Sequence, residues 1–397
     1  MKTVGIVAEY NPFHAGHRKQ FDRIRAEFGD KTAIVCAMSG NFVQRGAPAV
    51  LDKTHRAKAA VACGADLVVE LPTSVSLSSA EGFAAGGVGI LSKLCDTLCF
   101  GAETGETASL METARALLSE DFSPLLRRER ASGKSFPAAR AEALAQMGLS
   151  GEILRRPNDI LAVEYCKAIL ELGAALVPIP LPRQGAGHGQ ALTETGGQFA
   201  SASALRTLWQ NGGADAAAPY VPAEVLPLYR EAFAAGQYTD LAAAQRCQLA
   251  LLRSRCAGTA PFAQVRGISE GLEHRLEAAV RSSTTHAELL DSLTTVRYPR
   301  ARMRRLAMDA ALDYSADAFP ALPPYLHLLG AQKDALPLLK AAALPVSHSL
   351  ARLAEQNAPC RAVVDAQLRA CDFGALCRKK PEPMGSALRQ KIIFLTK

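Results

Sequence analysis

The chain has 397 residues, of which 49% are hydrophobic and 21% charged, and a net charge of +7. This length is more than one ordinary core needs and predicts two domains, while the composition excludes a disordered chain. No run of about 18 apolar residues occurs, so no helical membrane span is expected, and no basic segment with an apolar stretch behind it marks a leader. The ten cysteines are scattered without a CxxC pair. That pattern suits reduced thiols acting as small apolar fillers in a cytoplasmic protein, without a structural zinc.

In chain order, Val4–Val7 is a strand candidate that breaks at Asn11-Pro12. It is followed by His14-Ala15-Gly16-His17 and a polar helix, Arg18–Phe28, stopped by Gly29. A second strand, Thr32–Met38, ends in Ser39-Gly40-Asn41. A helix over Lys53–Cys63 is closed by Gly64, and a third strand, Asp66–Leu71, is ended by Pro72. The helix Ala80–Leu94 and the strand Thr97–Phe100 lead into Gly101-Ala102-Glu103. Ala175–Ile179 is a fifth strand, before Arg183 and the Gly-rich loop Gln184–Gly189.

Strands spaced by helices predict βαβ units and a parallel sheet, with ligands beyond the carboxyl ends of the strands. Four of these loops fall at such ends. Ser201-Ala202-Ser203-Ala204-Leu205-Arg206 enters a further helix holding Trp209, a packing anchor. The stretch Gly212–Pro222 has the composition of a linker. Beyond it Ala223–Ala235, Asp240–Cys256, Gly271–Ser283, His286–Leu293 and Ala301–Asp313 read as helices. The expected fold is α/β: a Rossmann-like domain over residues 1–215 and a mostly α-helical domain over 216–397.

His14 and His17 could share a metal at their i, i+3 spacing, but no acid completes an HExxH arrangement, and no metal ligand set is assigned. Gly16 suits close approach of backbone to a bulky anion. When an oxygen nucleophile attacks the α-phosphorus of ATP, charge builds on the phosphoryl oxygens and on the leaving pyrophosphate. Imidazole N–H donors at a helix N-terminus stabilise that charge. Arg45, between Gln44 and Gly46 in a rim loop, suits phosphate or RNA contact. Asp52-Lys53 is either an N-cap with a solvated lysine or a lysine on phosphate or RNA. Arg297, Arg300, Arg302, Arg304 and Arg305 place five arginines in nine residues around Tyr298 with no acid among them. That favours phosphate forks and base stacking, with Arg297, Arg302 and Arg305 as RNA contacts beside Arg45 and Lys53.

The stretch Gly5–His17 resembles the signature of nucleotidyltransferases with a His-x-Gly-His motif. More narrowly it is similar to the bacterial tRNA(Met) cytidine acetate ligases. Met38–Gly46, Asp52-Lys53, Val69–Pro72, Phe100–Glu103, Pro157–Leu161, Arg183 with Gly185–Gly187, Ser201–Arg206, Gly267–Leu272 and Arg297-Tyr298 with Arg302 extend the resemblance.

The resemblance implies activation of acetate with ATP to acetyl-adenylate, and acetylation of N4 of the wobble cytidine of elongator tRNA(Met). DNA and membranes are not expected partners. By motif matching, ATP would contact Val7, Ala8, Glu9, Tyr10, Asn11, Pro12, Phe13, His14, Ala15, Gly16, His17, Arg18, Lys19, Gln20, Gly101, Asn158 and Arg183. His14 and His17 would be catalytic, and Mg2+ would bridge the phosphates. The chain departs from the family pattern at Ala15, Gln20, Ala102 and Asp159. The competing readings are a small-molecule adenylyltransferase releasing pyrophosphate and a non-catalytic RNA-binding protein.

Overall fold

The strand–helix alternation closes into one largely parallel sheet in the computed structural model, which describes residues 1–182 and 201–395, without the side chains of residues 211 and 395. Arg183 and the Gly-rich loop after it lie outside the described residues. The strands are β1 (Thr3–Ala8), β2 (Ala33–Ser39), β3 (Phe42–Val43), β4 (Ala47–Pro48), β5 (Leu67–Leu71), β6 (Thr97–Ala102), β7 (Val177–Pro182), β8 (Leu326–Gln332), β9 (Val346–Ser347) and β10 (Ile393–Leu395). The main sheet runs β10-β8-β5-β2-β1-β6-β7, with β9 paired to β8. β1 lies parallel to both β2 and β6. The chain therefore builds outward from β1 on one side and then crosses to the other, which makes a crevice at the carboxyl end of β1.

Alternation along the strands supplies both faces of the sheet. In β2, Val35 and Ala37 join the core with Val88 and Leu91 of the helix Ala80–Leu91 and with Val163 of the helix Pro157–Glu171. Ile34, Cys36 and Met38 face the other way, onto Phe21 and Ile24 of the helix Ala15–Phe28, Ala57 and Val61 of the helix Lys53–Ala62, and Trp209. Trp209 is buried against Tyr229, with ring centroids 4.8 Å apart. It is a packing anchor, as its sequence context implies. All ten cysteines are free and none is exposed. No helix among the described residues is long and apolar enough to cross a membrane.

The linker expected at Gly212–Pro222 is packed structure. The helix Ala202–Ala216 runs through its first half with a break at Gly213 (φ 71°), and Ala214, Ala217 and Val221 are buried. Small apolar residues there let the backbone approach the neighbouring helix Leu226–Ala234 closely. Nor does the sheet end at residue 215. β8 returns from the C-terminal half and pairs antiparallel to β5. The helices Leu241–Arg255, Leu272–Ser282, His286–Leu293 and Arg300–Ala311 enclose their own core around Leu252, Leu276, Leu289 and Met303. A further cluster of Phe42, Ala244, Met308 and Phe373 ties this helical region to the β3–β4 hairpin and to the helix Ala358–Leu376.

β8 and the helix Ala358–Leu376 are joined to the sheet by a buried polar network, and this corrects the expectation for Lys53. Its ammonium is fully buried and donates to both Glu70 carboxylate oxygens at 2.9 and 2.8 Å, so it is not an RNA contact. His327 Nδ1 of β8 meets the same carboxylate, and Gln367 donates to it at 2.8 Å while accepting the Thr73 N–H at 2.7 Å. Burial pushes the Glu70 carboxyl up, but Lys53 and His327 outweigh it and bring it down to about 2 from its ordinary 4.5. A depressed carboxyl contributes stability above its unfolded value and loses it as pH falls through its folded one. Urea unfolding should therefore show stability draining from about pH 4.5 towards pH 2. Glu70→Gln should remove that part of the acid dependence. At neutral pH it should cost about 3–5 kcal/mol, because Lys53 is left buried without a counter-charge. An unchanged acid profile would count against the network.

Candidate active site

β1 ends at Ala8, and the loop that follows is held from several sides. Tyr10 sits at φ 47° and the Asn11-Pro12 peptide is cis. The Asn11 side chain accepts the Val50 N–H at 2.7 Å, and its carbonyl accepts from Arg206 at 2.7 Å. Tyr10 and Phe13 pack edge-on at 4.9 Å, and the Tyr229 hydroxyl donates to the Phe13 carbonyl at 2.8 Å. Beneath the loop lies Arg56, fully buried. It donates to the carbonyls of Glu9 at 2.6 Å, Ser39 at 3.0 Å and Leu51 at 2.9 Å, and to that of Gly40. Burial pushes this guanidinium down to about 10.

The two histidines form the cap of the following helix. His14 is the N-cap; its Nδ1 accepts the Gly16 N–H at 3.1 Å, and His17 Nδ1 accepts the His14 N–H at 3.2 Å. This is the reciprocal bonding of a capping box, made here with imidazoles. The rings stack with centroids 3.8 Å apart. With Nδ1 taken as acceptor, the neutral ring carries its proton on Nε2, so each histidine is set up as an Nε2–H donor. Gly16 leaves room for the His14 ring: a Cβ there would lie 2.9 Å from His14 Cε1, so the ring would have to shift.

The β6 end supplies the opposite lip. Asp159, at the start of the helix Pro157–Glu171, is fully buried and accepts the N–H groups of Glu103 and Thr104, both at 2.8 Å. Glu103 in turn accepts from the Asp159 N–H at 2.9 Å and the Asn158 amide at 2.6 Å. Both N–H groups reach the same Asp159 oxygen, and its other oxygen accepts the Thr104 hydroxyl at 2.8 Å. This exchange fixes Gly101 and Asn158 beside each other at the cleft.

The cleft between these lips has a volume of about 1070 Å³ and extends to the helical region. It brings together Val7, Ala8, Glu9, Tyr10, Asn11, His14, Gly16, His17, Lys19, Gln20, Gly101, Asn158 and Arg45. Pro12, Phe13, Ala15 and Arg18 stay out of it: Phe13 is core, and Arg18 pairs with Asp22 and Glu224, both at 3.1 Å. Arg183 lies outside the described residues. Arg297, Arg302 and Arg305 do not line the cleft either. Arg297 pairs with Glu270 and, with Arg302, flanks the buried Tyr298 ring, while Arg305 lies against the Gln44 carbonyl. The arginines of the run that do face the cleft are Arg300 and Arg304.

Arg206 also lines it, at the start of the helix capped by Ser201, a position its Ser-rich entry hinted at. Among the described residues Glu9 is the single carboxylate that lines the cleft. It accepts the Gln44 N–H at 2.7 Å. Burial pushes its carboxyl up, against the pull of Gln44, Arg206, Arg45 and Arg56. Such a cleft can hold a polyanion and stabilise charge developing on it.

The HIGH Nucleotidyl Transferase family profile matches residues 1–386. A tRNA(Met) cytidine acetate ligase of Acetivibrio thermocellus is 31% identical over the whole of both chains. One from Syntrophomonas wolfei is 35% identical over 83% of this chain and 82% of that one. The structure of Thermotoga maritima TmcAL bound with alpha-thio ATP superposes over all of both chains with a TM-score of 0.88 at 26% identity. With its histidine-capped helix at the switch point of the sheet, the chain belongs to the HIGH nucleotidyl transferases, in the family of the tRNA(Met) cytidine acetate ligases.

Proposed function

We propose that this chain activates acetate with ATP and transfers the acetyl group to N4 of the wobble cytidine of elongator tRNA(Met). The observation that carries the reading is the imidazole capping box, two Nε2–H donors and a helix N-terminus in one anion-accepting cleft. An acetate oxygen attacks the α-phosphorus, the bond to pyrophosphate breaks, and acetyl-adenylate forms. The His14 and His17 Nε2–H groups and the helix N-terminus stabilise the phosphoryl oxygens and the leaving group. Cytosine N4 then attacks the acetyl carbonyl carbon, the bond to AMP breaks, and N4 loses a proton.

Gly101 and Asn158 are suited to the nucleoside, through close backbone approach and hydrogen bonding. Residues 1–215 would carry the ATP chemistry and the helical part of 216–397 the tRNA contacts. Mg2+ would travel on the phosphates. Among the described residues Glu9 is the one carboxylate lining the cleft, and no cluster of three metal-binding side chains occurs. No step above passes through the ion. The cationic wall reaching into the helical region favours a nucleic-acid acceptor over a small phosphate ester.

Incubation with ATP, labelled acetate and tRNA(Met) should place label in the tRNA and release AMP in equal amount. No acetate-dependent AMP would refute the reading. His17→Ala should lower acetate-dependent ATP–pyrophosphate exchange by about 10²–10³-fold, the effect of losing one transition-state donor. Gly16→Ala should lower it by about 10²-fold through displacement of His14. A Gly16→Ala enzyme as active as the parent would show that the His14 placement does not matter.

A further inference from the structure

The helical region reaches the cleft with an unusual concentration of positive charge. Arg45, at the turn of the β3–β4 hairpin, is exposed, and Arg304 and Arg300, one turn apart on the helix Arg300–Ala311, are half-buried. All three line the cleft that holds the histidines. Among the described residues Arg45 and Arg304 have no carboxylate at ion-pair distance, although the neighbouring Arg297 and Arg300 are paired with Glu270 and Asp291.

The two unpaired arginines are held side by side by the backbone. Gly46 sits at φ +77°, and a Cβ there would lie 2.7 Å from the Arg305 backbone N and 2.8 Å from the Arg304 carbonyl carbon. The hairpin tip is therefore pressed against the helix, and the Arg305 guanidinium lies over the Gln44 carbonyl. Burial, and then Arg300 and Arg45, push the Arg304 guanidinium down. Crowding like charges without counter-ions is costly, and the cost is relieved when an anion occupies the space between them.

Two anions meet in this cleft on the reading above, the nucleotide and the acceptor RNA. The histidine cap and the β6 lip line it, and so do the arginines of the hairpin and the helical region. The target N4 lies on a base edge, and chemistry on such an atom requires the base to leave its stack. We infer that Arg45 and Arg304, supported by Arg300, grip a phosphodiester beside the target cytidine and so hold that nucleoside extruded into the cleft, its base turned towards the histidines. This inference rests on the proposed function. Guanidinium forks suit a phosphodiester oxygen pair, and a half-buried site lets the sugar and base continue inwards.

The test uses the full chain with Arg45→Ala, Arg304→Ala and the double substitution, and with Arg304→Lys as a charge-retaining control. Acetate-dependent ATP–pyrophosphate exchange without RNA reads the first half-reaction, and label transfer to tRNA(Met) reads the whole. The ratio of transfer to exchange should fall at least about tenfold in each alanine variant, and the salt dependence of tRNA binding should become shallower by about one unit of slope per arginine. Arg304→Lys should recover part of the loss. An anticodon stem-loop carrying fluorescent pyrrolocytidine at the target position should brighten on binding the parent, as the base unstacks, and not on binding the double variant.

Exchange and transfer falling together would assign the arginines to the nucleotide's phosphates and overturn the inference. So would an unchanged ratio, or brightening that persists in the double variant. A parent chain lacking acetate-dependent exchange would instead refute the proposed function, whereas normal parental activity with unaffected variants would refute only this inference.

Discussion

The buried guanidinium of Arg56 holds the catalytic rim together. Among the described residues it has no carboxylate at ion-pair distance; its donors end on backbone carbonyls at the ends of β1 and β2 and before the helix Lys53–Ala62. Those carbonyls sit where strands stop and ladder partners run out, so each needs a donor from elsewhere. One rigid five-donor fork satisfies them together and fixes the spacing of three loops. An unsatisfied buried polar group costs about 1–3 kcal/mol, so losing the fork would cost several such penalties at once. The Glu9 carbonyl is among the acceptors. The positions of the Glu9 carboxylate and of the loop that delivers His14 thus depend on a residue that does not line the cleft.

The two histidines show a similar economy. Their Nδ1 atoms do a structural job, closing a helix N-terminus, and that job sets their chemical one. Because each accepts a backbone N–H, each ring is held in one tautomer and one orientation. Gly16 makes room for this and adds the backbone donor. The electrostatics of the cleft are then lopsided among the described residues: guanidinium groups from the hairpin, the Ser201-capped helix and the helical region line it with a single carboxylate. Such a site attracts phosphate, and it is divided between one lip made by the sheet and another made by later helices.

The Lys53–Glu70 pair explains how the late part of the chain comes to serve the early part. Glu70 lies on a central strand, and its carboxylate is met by Lys53, by His327 of β8 and by Gln367 of the helix Ala358–Leu376. Each partner satisfies what the others leave, so the C-terminal elements are locked onto the sheet through a polar contact as well as apolar packing. The hairpin and the arginine helix are in turn held at the cleft through Gly46 and through the Phe42, Met308 and Phe373 cluster.

What the chain determines by itself is local. The apolar runs of β1, β2, β5 and β6 with helices between them dictate a parallel sheet. The residues from Tyr10 to His17 are neighbours in sequence, so their loop, cap and histidines could be read in order. Gly101 and Asn158 line the cleft from the carboxyl end of β6 and from a helix start, where parallel sheets place ligands, and Arg45 reaches it from the β3–β4 turn. Lys53 was not legible, because the carboxylate that pairs with it lies 17 residues away on β5. Nor was the return of β8, which slots between β10 and β5 and pairs antiparallel to β5, because the strand it joins lies far earlier in the chain. The imidazole capping box escaped because its spacing is usually read for hydroxyl and acidic side chains. In the arginine run, charge covers more than one face of its helix, so composition cannot say which residues face the site. Only packing against the hairpin turns Arg300 and Arg304, one turn apart, towards the cleft and leaves Arg297 and Arg302 around Tyr298.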